Sequence, residues 1–284
     1  MDMQSRRNFL QISAWSAAAL MLAPGISSGI DTGKKLKNFG FISGIVGKEL
    51  KGDWKAVLKH AVQCGFTELE TGSYLGESPA DFLSFCRSIG IKPIIGGIPF
   101  TADKAELIKG LDKLAELEMT YAVTYWPWKG GGPFTLEDCK VSAGILNQMG
   151  QVCRERGFTF CWHNHDKEFI PMEKGLPFDF LMENTQKNLV TCELDIYWVA
   201  KGGSDPLNVL RQYAGRIPVL HVKDMAPGPE KDFACPGRGI IDFPAIFREA
   251  GKQGIQHYFV ERDNEPNGME CLRTSGEYLR NLRF

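Results

Sequence analysis

The chain has 284 residues, 43% of them hydrophobic and 24% charged, so it can bury a large core, and its length suits one α/β barrel. Lys and Arg number 33 against 34 Asp and Glu, a net charge of -1 with no basic block, which argues against non-specific nucleic-acid binding. No low-complexity segment follows the first 35 residues.

Residues 1–35 read as a signal and linker rather than as part of the fold. MDMQSRRNFLQ carries Arg6 and Arg7, followed by the apolar run ISAWSAAALMLAPGI and the small residues SSG. A charged start, an apolar stretch and a small-residue end describe a secretory signal. The order Ser-Arg-Arg-Asn-Phe-Leu resembles a twin-arginine export signal, which implies a bacterial source and a periplasmic or otherwise exported protein. The apolar run, about 15 residues, is short for a membrane span of ~20, so no membrane partner is expected after signal removal. No Ala-x-Ala marks a cleavage point, and no cysteine follows the run to anchor a lipid. The eight cysteines show no CxxC and no regular spacing. Most lie in apolar surroundings and read as small buried hydrophobes that stay reduced when the protein is exported already folded.

From residue 37 short apolar runs alternate with longer amphipathic ones. Strands are predicted at 38–43 and 66–70, with a helix between them at 53–65, capped by Asp53 and stopped by Gly65. A helix at 78–90 follows, with a serine cap and a proline in its first turn. Then come a strand at 92–97, a helix at 102–118, a strand at 120–126 and a long helix at 135–157 with Thr135 as cap. The second half repeats the rhythm, with strands at 158–162, 189–195, 217–224 and 257–263 and helices at 176–185, 205–215, 242–254 and 268–282. Eight strand-helix units demand a parallel sheet, and the spacing fits a single-domain (β/α)8 TIM barrel over residues 36–284. An open doubly wound sheet is the rival, but no glycine-rich phosphate loop opens the first unit.

In such a barrel the active site sits at the C-terminal strand ends. The second predicted strand ends in Glu68 and Glu70, and the fifth in His163, Asn164 and His165 with Glu168 just beyond. The sixth ends in Glu193 and Asp195, the seventh in His221 with Lys223 and Asp224, and the eighth in Glu261 with Arg262 and Asp263. Four consecutive strands thus deliver His or carboxylate to one rim. Carboxylates and imidazoles so crowded repel or lose hydration unless a cation holds them. This donor mixture suits one divalent ion: Mn²⁺, Fe²⁺, Co²⁺, Zn²⁺ or Mg²⁺. Taken singly, His221 would suit a hydrogen-bonded core position, Asp195 a cap on the following turn, and Glu261 a partner for Arg262. Trp126 and Trp128 flank a glycine run after the fourth strand, and Phe100 and Trp198 share the rim, where aromatic faces suit sugar C–H surfaces or ordinary packing. Arg238, between glycines in PGRGIIDF, suits a phosphate or carboxylate contact or a tight turn.

The series HNHDKEF, ELDIYW, LHVKD and FVERD resembles the xylose isomerase-like barrel superfamily, the sugar phosphate isomerase/epimerase group, over roughly residues 38–284. The resemblance implies four metal ligands on strands five to eight, usually Glu, Asp, His and Glu. Asp195, His221 and Glu261 match the last three. At the first place the usual glutamate is replaced by His163, while Glu168 lies five residues on. Charge favours Glu168 as the ligand, with His163 its close rival. The chemistry implied is removal of a proton next to a sugar carbonyl, giving an enediolate. Glu261 and either Glu168 or His163 would carry protons, and His165 and Lys223 would assist. Glu70, Trp126, Trp198 and Arg238 would contact the substrate, a free sugar, keto-sugar or glycoside rather than a cytoplasmic phosphate ester. A sugar isomerase or epimerase is the first expectation; a keto-sugar or inosose lyase, dehydratase or hydratase is the second, and a non-catalytic periplasmic sugar-binding barrel the third. The DNA-repair endonucleases of the family use more histidines than the five here. Assembly into homo-oligomers is left open.

Overall fold

In the computed structural model, residues 33–128 and 134–284 are described, and one compact unit runs from Gly33 to Phe284. Eight parallel strands close into a barrel: β1 Gly40–Ile42, β2 Glu68–Glu70, β3 Lys92–Gly97, β4 Tyr121–Thr124, β5 Thr159–His163, β6 Thr191–Asp195, β7 Val219–Val222 and, as the eighth, β10 His257–Val260. Each pairs with its neighbours in sequence order, and β1 meets β10 to complete the cylinder. The (β/α)8 barrel read from the sequence is the observed fold. The expected signal lies almost wholly outside the described residues. Lys34 exchanges two backbone hydrogen bonds with Phe284, so the barrel's contacts begin just ahead of the boundary expected at 36.

Apart from α6 Ile196–Lys201, the helices form where cap and stripe predict. They are α1 Trp54–Gln63, α2 Pro79–Ile89, α3 Lys104–Glu116, α4 Leu136–Glu155, α5 Pro177–Asn184, α6 Ile196–Lys201, α7 Pro206–Gln212, α8 Phe243–Gln253 and α9 Gly268–Asn281. Asp53, Ser78 and Asp242 each accept a backbone N–H at a helix start, and Thr135 with Asp138 makes a capping box. The apolar stripes turn inward and merge into one core between helices and sheet that includes Leu58, Phe82, Leu146, Trp162, Phe178 and Phe247.

Three features depart from the sequence reading. The extra helix α6 follows β6 directly, because the Asp195 side chain accepts the Trp198 N–H and starts it. The seventh strand stops at Val222, and a two-stranded antiparallel hairpin, β8 Asp224–Met225 with β9 Phe233–Ala234, follows it. Six of the eight cysteines are buried thiols, as most were expected to be, but Cys235 and Cys271 form a disulfide across 36 positions. The segment after β9 carries Cys235 to α9, a meeting that spacing along the chain does not reveal.

Side chains alternate along each strand, so every second residue points into the barrel. Ile95, Val123, Cys161, Val219 and Phe259 form an apolar plug inside it. Two residues further along, the same inward direction falls on Tyr125, His163, His221 and Glu261. The plug thereby supports a polar layer at the C-terminal mouth.

Candidate metal centre and active site

His163, Asp195, His221 and Glu261, from β5, β6, β7 and the end of β10, offer donor atoms that all lie within 4.8 Å of one another. Strand register makes this meeting: Asp195 pairs with His221, and His221 with Phe259, which places Glu261 one inward step beyond. Both histidines have their other ring nitrogen engaged. His163 Nδ1 is 3.1 Å from Glu193 Oε2, which leaves Nε2 facing Asp195 Oδ2 at 3.9 Å. His221 Nε2 is 2.7 Å from Glu70 Oε2 and 3.3 Å from Glu193 Oε1, while Nδ1 is 2.8 Å from Glu261 Oε2. Carboxylates that engage one imidazole nitrogen set the tautomer and aim the other at the site.

The charges beneath the mouth are dense. Burial opposes the charge on His221, but Glu193, Glu70 and Glu261 hold it well above the usual histidine range. Burial also opposes the Glu261 carboxylate, yet Lys223 and His221 keep it well below the usual range and ionised. Desolvation raises Asp195 to about 7 and, with Glu70 beside it, Glu193 to about 8. Burial and the neighbouring His221 and His165 hold His163 neutral. Asp195 Oδ2 and Glu193 Oε1 are buried and make no hydrogen bond, although Lys223 Nζ lies 3.2 Å from the first and His221 Nε2 3.3 Å from the second. These contacts are ionic without hydrogen-bond alignment. Buried oxygens in that condition fit a cation or an ordered water as their partner.

Residues 58–282 match the xylose isomerase-like TIM barrel family. The chain belongs to that family. An inosose dehydratase of Clostridium perfringens is 27% identical over 164 residues, 51% of this chain and 54% of that protein. The chain thus spans about half the length of the curated relatives it matches. The crystal structure of a sugar phosphate isomerase/epimerase from Parabacteroides distasonis superposes with a TM-score of 0.75 at 24% identity, covering 89% of this chain and 97% of that one. The IOLI protein, solved with a bound zinc atom, superposes at 0.68 with 17% identity, covering 84% of this chain and 95% of that one. These likenesses are of fold.

The structure places His163 and Glu168, the two candidates for one metal ligand, differently. Glu168 stands apart from the four-residue group: its carboxylate accepts Trp128 Nε1 at 2.8 Å and the His165 backbone N–H at 3.0 Å, and it is fully buried. Glu168 lies on the short 3-10 helix Lys167–Phe169, and His163 is the member of the pair that joins the four-residue group. Glu70, expected to touch substrate, lies sealed beneath His221, its other oxygen accepting Tyr125 Oη at 2.6 Å. Arg238 is exposed on the loop after β9, where its charge acts on Glu270 of α9, and no hydrogen bond or ion pair joins it to the cluster. The other expected groups do gather. Trp126, 53% exposed, stacks on His165 at 3.7 Å, and Trp198 is 5.5 Å from the same imidazole. Burial lowers His165 to about 3, so it is neutral, and its Nδ1 makes no hydrogen bond. Lys223 is fully buried, its ammonium among Asp195, Glu261 and Asp263.

Glu193, Tyr125 and Asp263 went unassigned in the sequence reading. Glu193 had a signal, since it sits two residues before Asp195 on one strand and so shares its inward face. Asn164 likewise ties the two strand ends together, accepting the Asp195 N–H at 2.9 Å and donating to its carbonyl at 3.3 Å.

Proposed function

We propose that this protein is a divalent-metal-dependent enzyme that removes the proton next to the carbonyl of a sugar or keto-sugar. The observation that carries this reading is the convergence of His163, Asp195, His221 and Glu261 from four neighbouring barrel strands. Two imidazole nitrogens and two carboxylate oxygens are a donor set for Mn²⁺, Fe²⁺, Co²⁺ or Zn²⁺ more than for Mg²⁺, and the unsatisfied Asp195 Oδ2 fits such an ion. Those four residues would hold it. A divalent ion bound there supplies Lewis-acid polarisation of a sugar's carbonyl and hydroxyl oxygens, which acidifies the adjacent C–H.

The chain's own groups supply the proton traffic. Glu261, kept ionised by Lys223 and His221, accepts the proton. His165, neutral, with a free Nδ1 and held by its stack on Trp126, is the second proton carrier. Trp126 and Trp198 offer ring faces to the apolar side of a sugar, and the hairpin residue Phe233 closes the wall beside Trp198 at 5.6 Å. Return of the proton to the opposite face gives epimerisation, and return to the neighbouring carbon gives isomerisation. Departure of a β-hydroxyl as a molecule of water, taking up the proton that Glu261 removed, gives dehydration. The isomerase/epimerase outcome agrees with the name of the Parabacteroides neighbour, and the dehydratase outcome agrees equally with the inosose dehydratase relatives.

The twin-arginine-like start supports export, which favours unphosphorylated substrates. A reporter fused to residues 1–35 and followed in bacteria with and without the twin-arginine translocase tests that part. The chemistry is tested by incubating metal-loaded protein in D₂O with free ketoses and inososes and reading deuterium uptake and products together. Exchange with retention of all atoms gives the isomerase or epimerase, and exchange with loss of water gives the dehydratase. Absence of exchange with every sugar, alongside measurable sugar binding that survives chelation, would leave a binding barrel in place of an enzyme.

A further inference from the structure

Lys223 brings a permanent positive charge into the mouth of the barrel. Its Nζ lies 2.7 Å from Asp263 Oδ2, 3.0 Å from Glu261 Oε2 and 3.2 Å from Asp195 Oδ2. Asp195 and Glu261 also belong to the four-residue donor group, whereas Asp263 does not. On its other side the ammonium faces aromatic rings, 4.8 Å from the centre of Trp198, 5.6 Å from Phe233 and 5.7 Å from Tyr197. The lysine therefore has two sets of partners. One set is shared with any ion held by the donor group, and the other, Asp263 and the rings, is its own.

We propose that Lys223 is a built-in competitor of the divalent ion, sharing Asp195 and Glu261 with it, and that Asp263 is the anion that retains the ammonium when the ion takes those two carboxylates. The proposal rests on the reading of this mouth as a divalent-ion site. Physically, two cations that draw on the same pair of carboxylates weaken each other's hold, and the effect is large where water is excluded. Neither state leaves the pair Asp195–Glu261 uncompensated: the lysine neutralises it in the absence of the ion, so the acidic mouth stays folded while empty of metal. The group's two carboxylates are Asp195 and Glu261, and both are shared with Lys223, which makes the competition sharper. Affinity for the ion is then set by Lys223 and Asp263 as well as by the four donors, and Asp263 is a positioning residue acting through Lys223.

The test is calorimetric titration of Mn²⁺ into full-length chelator-treated protein, without substrate. Lys223→Met keeps the apolar stem and removes the charge, and Lys223→Gln serves if the first variant does not fold. Either is expected to bind Mn²⁺ at least about tenfold more tightly than the unaltered protein, roughly the loss of one charge interaction of 1.4 kcal/mol. Asp263→Asn is expected to weaken binding, and to do so only while Lys223 is present, so that adding it to Lys223→Met changes nothing further. Unaltered protein that binds Mn²⁺, with lysine variants that bind it equally or less well, overturns the proposal and leaves the metal reading standing. Asp263→Asn acting just as strongly without Lys223 also overturns it. Mn²⁺ bound by the lysine variants alone supports it. Failure of every variant and of the unaltered protein to bind Mn²⁺, Co²⁺ or Zn²⁺ removes both the proposal and the metal reading.

Discussion

Glu70 Oε2 lies 2.7 Å from His221 Nε2, although 151 positions separate the two residues in the chain. The contact crosses the barrel interior and leaves His221 Nδ1 on the side of Glu261. Tyr125 donates to the other oxygen of Glu70 and steadies the carboxylate. Glu70 thus acts on the site through a histidine rather than by touching substrate. Glu70→Ala is expected to lower metal affinity by about 10–100-fold, Glu70→Gln by less, since an amide oxygen still accepts the N–H. Titration of Mn²⁺ into the folded variants reads this directly, and an unchanged dissociation constant would show that His221 needs no such support.

Glu168 makes the stability of the protein depend on pH. Burial pushes it from an ordinary 4.5 up to about 7, against the N–H groups of Trp128 and His165 that favour its charge. A carboxyl raised on folding holds its proton more tightly in the folded chain. Its contribution is therefore fully present below the unfolded value and is lost as pH climbs from 4.5 through 7. The size is about 3 kcal/mol. Glu168→Gln does not titrate, so the stability of the unaltered protein relative to this variant should fall by about that amount between pH ~4 and ~8. Urea unfolding of both metal-free proteins at each pH measures it, and parallel curves would contradict the assignment.

His165 is the proton carrier proposed beside Glu261. Its ring is stacked on Trp126, and its Nδ1 has no hydrogen-bond partner among the described residues. It stands outside the group of four donors. His165→Gln should therefore slow deuterium exchange at the substrate carbon or product formation by about 10²–10⁴-fold while metal affinity stays as it was. A parallel fall in metal affinity would move His165 from proton transfer to the metal's support.

Much of this arrangement was legible before any coordinates because two periodicities carry it. The 3.6-residue stripes and their caps announced the helices, and the position of His or carboxylate at consecutive strand ends announced the mouth. Asp195, His221 and Glu261 were readable for that reason. The choice between His163 and Glu168 was not, because it depends on how the short turn after β5 folds back, and a five-residue spacing is silent on direction. Glu193 is legible at the end of its strand but carries no role in the sequence reading, although its place two residues before Asp195 puts it on the same inward face. Asp195 shows that two readings of one residue need not exclude each other: Oδ1 caps α6 through the Trp198 N–H, and Oδ2 stays open to the site. The hairpin β8–β9 escaped notice because each of its strands is two residues long, too short to show alternation, and with it went the approach of Cys235 to Cys271.

His163, in a group whose other members are Asp195, His221 and Glu261, should show in the choice of metal. Magnesium asks for oxygen donors in near-octahedral array, whereas imidazole nitrogen suits zinc, cobalt and iron. With His163 and His221 both contributing nitrogen, Zn²⁺ and Co²⁺ are expected to outcompete Mg²⁺ by a wide margin, with Mn²⁺ between. His163→Glu supplies an oxygen donor and a negative charge and should raise Mn²⁺ and Mg²⁺ affinity relative to Zn²⁺. The same change sets a new carboxylate against Glu193 Oε2, which now lies 3.1 Å from His163 Nδ1, so the variant should be less stable without metal and recover on loading. Competition titrations against a chromogenic chelator, with thermal unfolding run beside them, separate the two effects. An unchanged order of metal affinities in His163→Glu would mean that His163 does not reach the ion, and its place in the donor group would have to be filled by another residue.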